Sequence, residues 1–206
     1  MARRSQPTTV ANSGGSRRQA ILDIGTGLFA ANGYHGTSVR DIAEACALQP
    51  ASLYSHFKNK EEVLHGILMP YLAALIPALA AAGDGDGSGR DRLAGLFEVA
   101  VTLGYAHRSQ FIILSNDWNH IQRTPGLGAV VDSTRRCERI WRRVLADGVA
   151  DGSIRADVRP VHALRVAFGA VAGMVDDRYD DLGSGRPRGR STIGTIILDG
   201  LGAGDP

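Results

Sequence analysis

Apolar residues recur at helical spacing through the first third of the chain and predict three helices of unequal length. The first helix, over residues 17–31, buries a stripe formed by Ile21, Ile24, Leu28 and Phe29. The second helix buries a stripe formed by Val39, Ile42, Ala43 and Cys46. The third helix, which begins near residue 50, has an apolar face formed by Leu53, Tyr54 and Phe57. The second and third helices are too short to bury a core alone, so they must pack on the first.

Local signals mark where these helices begin and end. Asn32-Gly33 is a helix-stop signal after the first helix. Ser38 can cap the second helix, with Asp41 three residues further on as its capping-box partner. Pro50 suits the first turn of the third helix, because it needs no amide partner there.

Further apolar periodicities continue to the end of the chain and predict six more helices. We expect them over residues 60–82, 91–107, 109–121, 128–150, 160–179 and 191–201. Pro70 and Pro77 lie inside the first of these, and each removes an intrahelical hydrogen bond, so we expect a kink there. No stretch alternates with the period of a β-strand. The sequence therefore predicts an all-α protein of about nine helices.

The helices divide between a small amino-terminal domain and a larger one. We assign residues 1–66 to the first domain and expect its first 15 residues, rich in Ser, Thr, Gly and Arg, to be disordered. Residues 67–206 carry enough apolar sequence for one sizeable core. The run GDGDGSGR at residues 83–90 begins like a calcium-binding loop, but its twelfth position is Gly95 rather than Glu, so we expect a plain loop.

Composition and charge place this chain among ordinary globular proteins. It is 44% hydrophobic and 21% charged, and it contains no run of eighteen apolar residues, so we expect no transmembrane helix. The start of the chain lacks the apolar segment of a signal peptide, and Cys46 and Cys137 have no framework spacing, which indicates a reduced, cytoplasmic protein. Residues 1–60 have a net charge of +4, against +2 for the whole chain. This distribution favours a phosphate-facing domain on a near-neutral body.

Two short helices joined by a tight turn form the pattern of a helix-turn-helix, whose second helix enters the DNA major groove. The flanking residues make the match specific. Residues 17–68 resemble the DNA-binding region of the TetR/AcrR family of bacterial repressors at Ala20-Ile21, Leu28-Phe29, Gly33-Tyr34, Thr37-Ser38-Val39, Ile42-Ala43, Leu53-Tyr54, His56-Phe57 and Lys60-Glu61. The chain departs from the family pattern at Gln49, where a small polar residue is usual, and at Pro50-Ala51, where basic residues or glycine are common. The base preference is therefore expected to be this protein's own.

The resemblance implies a DNA-binding transcriptional regulator, in most cases a repressor, and it implies which residues meet DNA. Phosphate contacts are expected from Thr37, Tyr54 and Lys60, while half of the Tyr54 ring can alternatively pack in the small core. The groove-facing candidates are Gln49, Pro50, Ala51, Ser55 and His56, with Arg40 and Ser52 completing the set. A glutamine can pair with adenine, and proline and alanine carbons can contact a thymine methyl group. Arg3-Arg4 is either a basic arm that touches DNA or part of a solubilising tail.

The resemblance also implies an effector pocket, and ligand binding there would move the helix that begins near Lys60 and weaken operator binding. The candidate pocket residues, each of which can equally be plain core, are Leu72, Leu75, Phe97, Leu103, Ile113, Asn116, Trp118, Trp141, Phe168 and Met174. The polar and aromatic run Ser115–His120 either contacts the ligand or lies on an exposed helix face. The Trp118 region, Arg135–Arg143 and the turn Gly152–Arg155 loosely resemble family members that sense acyl-CoA thioesters. We therefore expect a small, largely apolar effector, with an acyl-CoA as one possibility.

The last two helices are more apolar than a single packing face requires. We predict that they pair with their copies in a two-fold four-helix bundle through Val161, Leu164, Phe168, Gly169, Val171, Gly173, Ile193, Ile196, Ile197 and Leu201. A homodimer of this kind requires a near-palindromic operator. The alternative is that both helices merely close the core of the monomer.

Other chemistries lack the residues that they would need. The six histidines are scattered, no two lie at i and i+4, and no Cys/His cluster is present, so we expect no metal ion. No nucleophile motif or cofactor-binding loop occurs, so we expect neither a cofactor nor an enzymatic activity. Two alternatives remain open at this stage. A regulator without a ligand should have a filled body, and an enzyme that uses an all-α pocket should show a catalytic cluster within it.

Overall fold

Ten α-helices make up the described part of the chain, which in this computed structural model comprises residues 14–175 and 192–202. They are α1 Gly14–Asn32, α2 Val39–Ala45, α3 Pro50–Tyr54, α4 Lys60–Gly83, α5 Gly89–Ala106, α6 Arg108–Asn116, α7 Trp118–Ile121, α8 Gly128–Ala150, α9 Pro160–Val175 and α10 Thr192–Leu201. A 3₁₀ turn at Pro125–Leu127 leads into α8, and the only β-type pairing in these two ranges is an isolated bridge between Ile154 and Gly202. The all-α class is confirmed.

Two boundaries differ from the sequence-based expectation. Helix α1 begins at Gly14, so the last two residues of the expected disordered arm are helical; extending an existing helix needs no new nucleus. The helix expected over 109–121 is two helices, because the chain turns at Asp117 (φ −98°, ψ 10°). The rest of the arm, including Arg3-Arg4, and the expected end of the helix at residue 179 lie outside the described residues.

Helices α1–α3, which we call the amino-terminal unit, form as their local signals indicate. Ser38 and Asp41 make a complete capping box on α2, and Pro50 occupies the first turn of α3. Gly33 follows α1 with a φ of 72°, a backbone conformation that a residue without a Cβ adopts freely. These three predictions are confirmed.

The apolar face of α3 is narrower than expected. Leu53 and Phe57 are fully buried, but the Tyr54 side chain is 53% exposed. Positions 53 and 57 are four residues apart and share one face, whereas position 54 lies about 100° around the helix. Helix α3 therefore packs on the unit through a single edge and presents Tyr54 to solvent.

Helix α4 is the central helix of the molecule. It packs against α1, α5 and α8, and nine of its residues are buried: Val63, Leu64, Ile67, Leu68, Tyr71, Leu72, Leu75, Leu79 and Gly83. It continues through Pro70 and Pro77 as one helix, and the kink there stays a prediction. The domain boundary expected after residue 66 falls inside it.

The apolar content of α4 exceeds the sequence-based expectation. By length and composition alone, α4 is long and apolar enough to cross a membrane, with a mean hydropathy of 1.8. Within its most apolar segment, 44% is buried inside the protein, and α4 packs against α1, α5 and α8. Burial within the protein therefore accounts for part of this apolar composition.

Helices α5–α10, which we call the body, pack around the carboxyl-terminal half of α4. Helices α5 and α8 approach each other closely where a Cβ atom on Gly89 would lie 2.1 Å from the Cα atom of Gly148. Next to this crossing Arg92 forms an ion pair of 2.9 Å with Asp147. In the loop before α5, Asp84 pairs with Arg143 at 2.5 Å and Ser88 caps α5. These contacts fix α5 and α8 side by side as one wall of the body.

Candidate DNA-binding surface and effector cavity

Helix α3 presents a small polar surface to solvent. Leu53 and Phe57 hold it against the amino-terminal unit. The exposed residues on and next to it are Gln49, Pro50, Ala51, Ser52, Tyr54 and Ser55, while His56 is half-buried. All seven belong to the set predicted to meet DNA. An exposed short helix that carries amide, hydroxyl and methyl groups can reach base edges and phosphates in a major groove.

Two predicted phosphate contacts instead have partners inside the protein. Thr37 is buried, and its hydroxyl lies 3.0 Å from the carbonyl oxygen of Gly33 and 3.2 Å from that of Leu28. The Lys60 ammonium group donates to the carbonyl oxygens of Tyr34 at 2.7 Å and Thr37 at 2.8 Å. The side chains of Thr37 and Lys60 therefore hold the loop between α1 and α2, which differs from the role expected of them.

Other basic side chains lie on the exposed surface of this unit. Arg40 is exposed and pairs with Glu44 at 2.8 Å, and Lys58 is exposed just after α3. The Arg18 guanidinium group lies 4.4 Å from the centre of the Phe57 ring, a cation–π distance. Lys58 and Arg18 were not among the predicted DNA contacts. The excess of basic residues in positions 1–60 was the signal that pointed to them.

A cavity of about 510 Å³ lies inside the body. Its lining residues come from α4–α9 and are Tyr71, Leu72, Leu75, Leu79, Ala100, Phe111, Leu114, Ser115, Trp118, Thr134, Cys137, Glu138, Trp141, Arg142, Val161, Leu164, Arg165, Phe168, Val171 and Ala172. Most of these side chains are apolar, and the volume lies within the range of small-molecule sites in proteins. The cavity can therefore accept a ligand with a large apolar part.

The cavity contains half of the residues predicted for it. Five of the ten candidates line it, namely Leu72, Leu75, Trp118, Trp141 and Phe168. Phe97 is buried behind the wall, with its ring edge-on to Trp141 at 5.0 Å between centres. Ile113 and Met174 are also buried, Leu103 is half-buried and Asn116 is exposed. These last five do not line the cavity, because their side chains point into helix contacts or solvent.

Three charged residues of the lining were missed. Glu138 and Arg142 are one helical turn apart on α8 and form an ion pair of 2.5 Å. Arg165 on α9 has no hydrogen-bond or ion-pair partner among residues 14–175 and 192–202. Arg165 is a lone cation in an otherwise apolar helical stretch, and this was the available signal. It can hold an anionic group of a ligand at the edge of the cavity.

The cavity also contains one thiol, that of Cys137 on α8. Burial raises the pKa of this thiol to about 11, so it stays protonated at neutral pH. It is consequently an apolar part of the wall.

The polar run Ser115–His120 has two roles rather than one. Ser115 and Trp118 line the cavity. Asp117 and His120 instead contact the loop between α1 and α2, where the Tyr34 backbone N–H donates to Asp117 Oδ2 at 3.0 Å. The His120 ring stacks on the Tyr34 ring with 4.2 Å between centres and lies edge-on to His35 at 4.7 Å. We call these four residues, Tyr34, His35, Asp117 and His120, the junction.

Neighbouring charges hold the Tyr34 side of the junction in place. The Tyr34 hydroxyl donates to Glu61 Oε1 at 2.8 Å, and this bond lowers the pKa of the Glu61 carboxyl. Burial, followed by the Glu61 carboxylate, raises the pKa of the Tyr34 hydroxyl. The Lys60 ammonium group lies 3.8 Å from the centre of the Tyr34 ring, and burial lowers its pKa. The loop is thus fixed to the start of α4 by several bonds at once.

Among the described residues, the exposed large hydrophobic side chains of the body lie on its last two helices. On α9, Val166 is 56% exposed and Phe168 is also exposed, and on α10 Ile196 is 65% exposed. A Cβ atom added at Gly169 or Gly200 would meet no other atom within 4 Å. Open space at these positions leaves room for another helix.

The other candidates for the dimer interface lie in different places. Leu164 and Val171 are buried and line the cavity, so they face into the chain rather than towards a partner. Val161, Gly173, Ile197 and Leu201 are half-buried, and the Ile193 side chain lies outside the described residues. The outward face of α9 and α10 is therefore narrower than the stripe read from the sequence.

The protein consists of a helix-turn-helix unit with an exposed short helix and a helical body with a cavity, and one central helix joins them. This combination is typical of a one-component DNA-binding regulator. Comparison with known proteins gives the family. The family description "Bacterial regulatory proteins, tetR family" matches residues 21–67, and "Tetracyclin repressor-like, C-terminal domain" matches residues 86–176. The HTH-type transcriptional repressor KstR2 of Rhodococcus jostii (strain RHA1) is 32% identical over 196 residues, which cover 90% of this chain and 91% of the relative. This chain belongs to the TetR family and is a DNA-binding transcriptional regulator.

Two further comparisons agree with this assignment. KstR2 of Mycobacterium tuberculosis (strain H37Rv) is 30% identical over 149 residues, which cover 72% of this chain and 74% of the relative. The solved structure of the ketosteroid transcriptional regulator KstR2 of Mycobacterium tuberculosis superposes with a TM-score of 0.71 at 26% identity. The superposition covers 95% of this chain and 100% of the chain in that structure.

Proposed function

We propose that this protein is a homodimeric, cytoplasmic repressor that binds a near-palindromic operator and leaves it when a small molecule fills the cavity. The observation that carries the proposal is the cavity of about 510 Å³, which α4 joins to an exposed helix-turn-helix. We assign DNA binding to residues 1–66 and ligand binding and dimerisation to residues 67–206, with α4 running from one into the other. The cavity favours this function over that of a regulator without a ligand, whose body would be filled.

The DNA contacts are expected to come from the exposed residues of α3 and from the basic side chains beside it. Gln49, Pro50 and Ala51 are exposed, and we expect them to read bases, while exposed Tyr54 and Lys58 are expected to meet phosphates. Thr37 and Lys60 act indirectly, because they hold the loop that precedes α2.

The effector is expected to be a bulky, largely apolar molecule that carries an anionic group. The apolar walls support the first part of this proposal. Arg165, which has no partner within the described residues, supports the second. A relative described as a ketosteroid regulator is consistent with a bulky apolar effector. An acyl-CoA has both an apolar and an anionic part, so it stays among the candidates.

A mobility-shift assay with the DNA upstream of the protein's own gene tests the proposal. We expect wild-type protein to bind this duplex in preference to a scrambled one at moderate salt. Lys58→Ala should weaken binding to both duplexes and lower the salt slope by about one, whereas Gln49→Ala should mainly reduce the preference. Equal affinity of wild-type protein for the two duplexes would contradict the proposed function.

A further inference from the structure

The short helix α7 lies between the cavity and the amino-terminal unit. Trp118, at its start, forms part of the cavity wall. Asp117 and His120, on either side of Trp118, make the contacts to Tyr34 and His35 described above. Residues 117–120 therefore contact both the cavity, through Trp118, and the loop between α1 and α2.

Hydrogen bonds hold the loop between α1 and α2 at several points. Lys60 holds the carbonyl oxygens of Tyr34 and Thr37, and the Thr37 hydroxyl holds those of Leu28 and Gly33. Ser38, the next residue, caps α2, which leads through a short turn into α3. These bonds connect Tyr34 to the start of α2, so a shift of Tyr34 is expected to carry the start of α2 with it.

We propose that the break between α6 and α7 is a coupling element that links cavity occupancy to the position of the DNA-binding surface. In this mechanism, which rests on the proposed function, a ligand that displaces Trp118 moves Asp117 and His120 with it and alters their hold on Tyr34. Asp117 and His120 are positioning residues, because they touch neither DNA nor the cavity. The path runs from α7 through the loop at Tyr34 to α2, and it adds to any movement of α4.

The competing explanation is that the junction is a static contact that merely attaches the amino-terminal unit to the body. A static contact should not respond to a change made on the cavity side of α7. A coupling element should respond to such a change and should ignore a similar one elsewhere on the wall. The Tyr34 amide proton distinguishes the two, because its hydrogen bond to Asp117 spans 83 residues of sequence and exists only while the junction is formed.

The experiment is amide hydrogen exchange by NMR on the ¹⁵N-labelled full-length protein without ligand. Asp117→Ala removes the acceptor and should lower the Tyr34 protection factor by about tenfold or more. This value is the reference for a junction that has lost its hydrogen bond. Trp118→Ala should lower the Tyr34 protection by a similar factor, and Trp118→Phe should largely restore it. Phe168→Ala is the matched control, since it removes an aromatic side chain from the α9 wall of the same cavity.

We expect the control to change the Tyr34 protection by less than about threefold. Unchanged protection in Trp118→Ala, or an equal loss in Phe168→Ala, would overturn the coupling role. Specific DNA binding by wild-type protein is measured in parallel. If it is absent, the proposed function fails, whereas specific binding together with unresponsive protection refutes the coupling element alone.

Discussion

Lys60 shows how a side chain can have partners that the sequence alone does not reveal. A lysine at the end of a helix-turn-helix is a natural phosphate ligand, and the family resemblance implied that role. The structure instead directs its ammonium group to two carbonyl oxygens within the loop between α1 and α2. The pattern of charges along the chain cannot reveal this, because the acceptors are backbone atoms. They lie 26 and 23 residues before Lys60 in the sequence.

Replacing Lys60 should therefore reduce stability more directly than DNA affinity. Lys60→Met leaves two carbonyl oxygens without their donor, and we expect a loss of about 1–3 kcal/mol in the free energy of unfolding. Lys58→Met, at an exposed position two residues earlier, should change it by less than about 0.5 kcal/mol. Urea unfolding measures both variants. Equal stabilities for the two would show that the bonds of Lys60 contribute little.

The surroundings of His120 predict that the junction is sensitive to pH. Burial, followed by the nearby His35, holds the pKa of the His120 imidazole below its usual value, although the Asp117 carboxylate acts in the opposite direction. A group whose pKa is lowered in the folded state favours that state when neutral. The contribution is fully present above the usual pKa of about 6.5 and is lost as the pH falls through the lowered value.

We therefore expect the wild-type protein to lose more stability than His120→Phe when the pH falls from about 7.5 to about 5.5. Phenylalanine keeps a ring to stack on Tyr34 but cannot take up a proton. Thermal unfolding of both proteins across this pH range measures their stabilities. Subtracting one stability curve from the other removes the contribution of titrating groups that both proteins share. Parallel stability curves would contradict a role for His120 protonation.

At the scale of elements, helices with local signals could be predicted and those defined by distant contacts could not. The capping box at Ser38 and the glycine stop at Gly33 lie within a few residues of the ends that they mark. At the break, Asp117 instead accepts a hydrogen bond from Tyr34, which lies in another part of the chain. The polar run around Asp117 was noticed in the sequence. The sequence could not show that part of this run lines the cavity and part contacts the loop between α1 and α2.

The crossing of α5 and α8 depends on two glycines. Gly89→Ala would place a Cβ atom 2.1 Å from the Gly148 backbone, so the helices must separate. We expect a loss of about 1–3 kcal/mol in the free energy of unfolding. Gly128→Ala is the control, because Gly128 also begins a helix and its added Cβ would meet nothing within 4 Å. A Gly89→Ala protein as stable as this control would show that the crossing adapts without cost.

At the scale of the whole molecule, the hollow in the body could be predicted only in part. On α4, α8 and α9, the large apolar residues that were correctly predicted at the wall are Leu72, Leu75, Trp141 and Phe168, whereas Met174 on α9 does not line it. The sequence could not show which charged residues of these helices line the cavity and which are exposed to solvent. Which side of an amphipathic helix meets a void depends on how all its neighbours pack.

The exposed apolar face of α9 and α10 leads to a test of the dimer. Ile196→Asp and Val166→Asp place a charge on this face, and we expect both to shift the protein towards monomer in light scattering at micromolar concentration. Tyr54→Asp is the control, because it places the same charge on an exposed side chain of α3. A monomeric wild type, or dimerisation of all three variants, would contradict the interface.

Helix α4 also limits how the protein can be recombined with its relatives. One end of this helix packs in the amino-terminal unit and the other lines the cavity, so no linker exists at which two parents can be joined. A chimera that takes a new operator specificity must therefore fuse two half-helices in register. Under the coupling proposed above, it must also inherit Tyr34 from the same parent as Asp117 and His120. A graft that separates these residues, which lie far apart in the gene, should then bind DNA without responding to its signal.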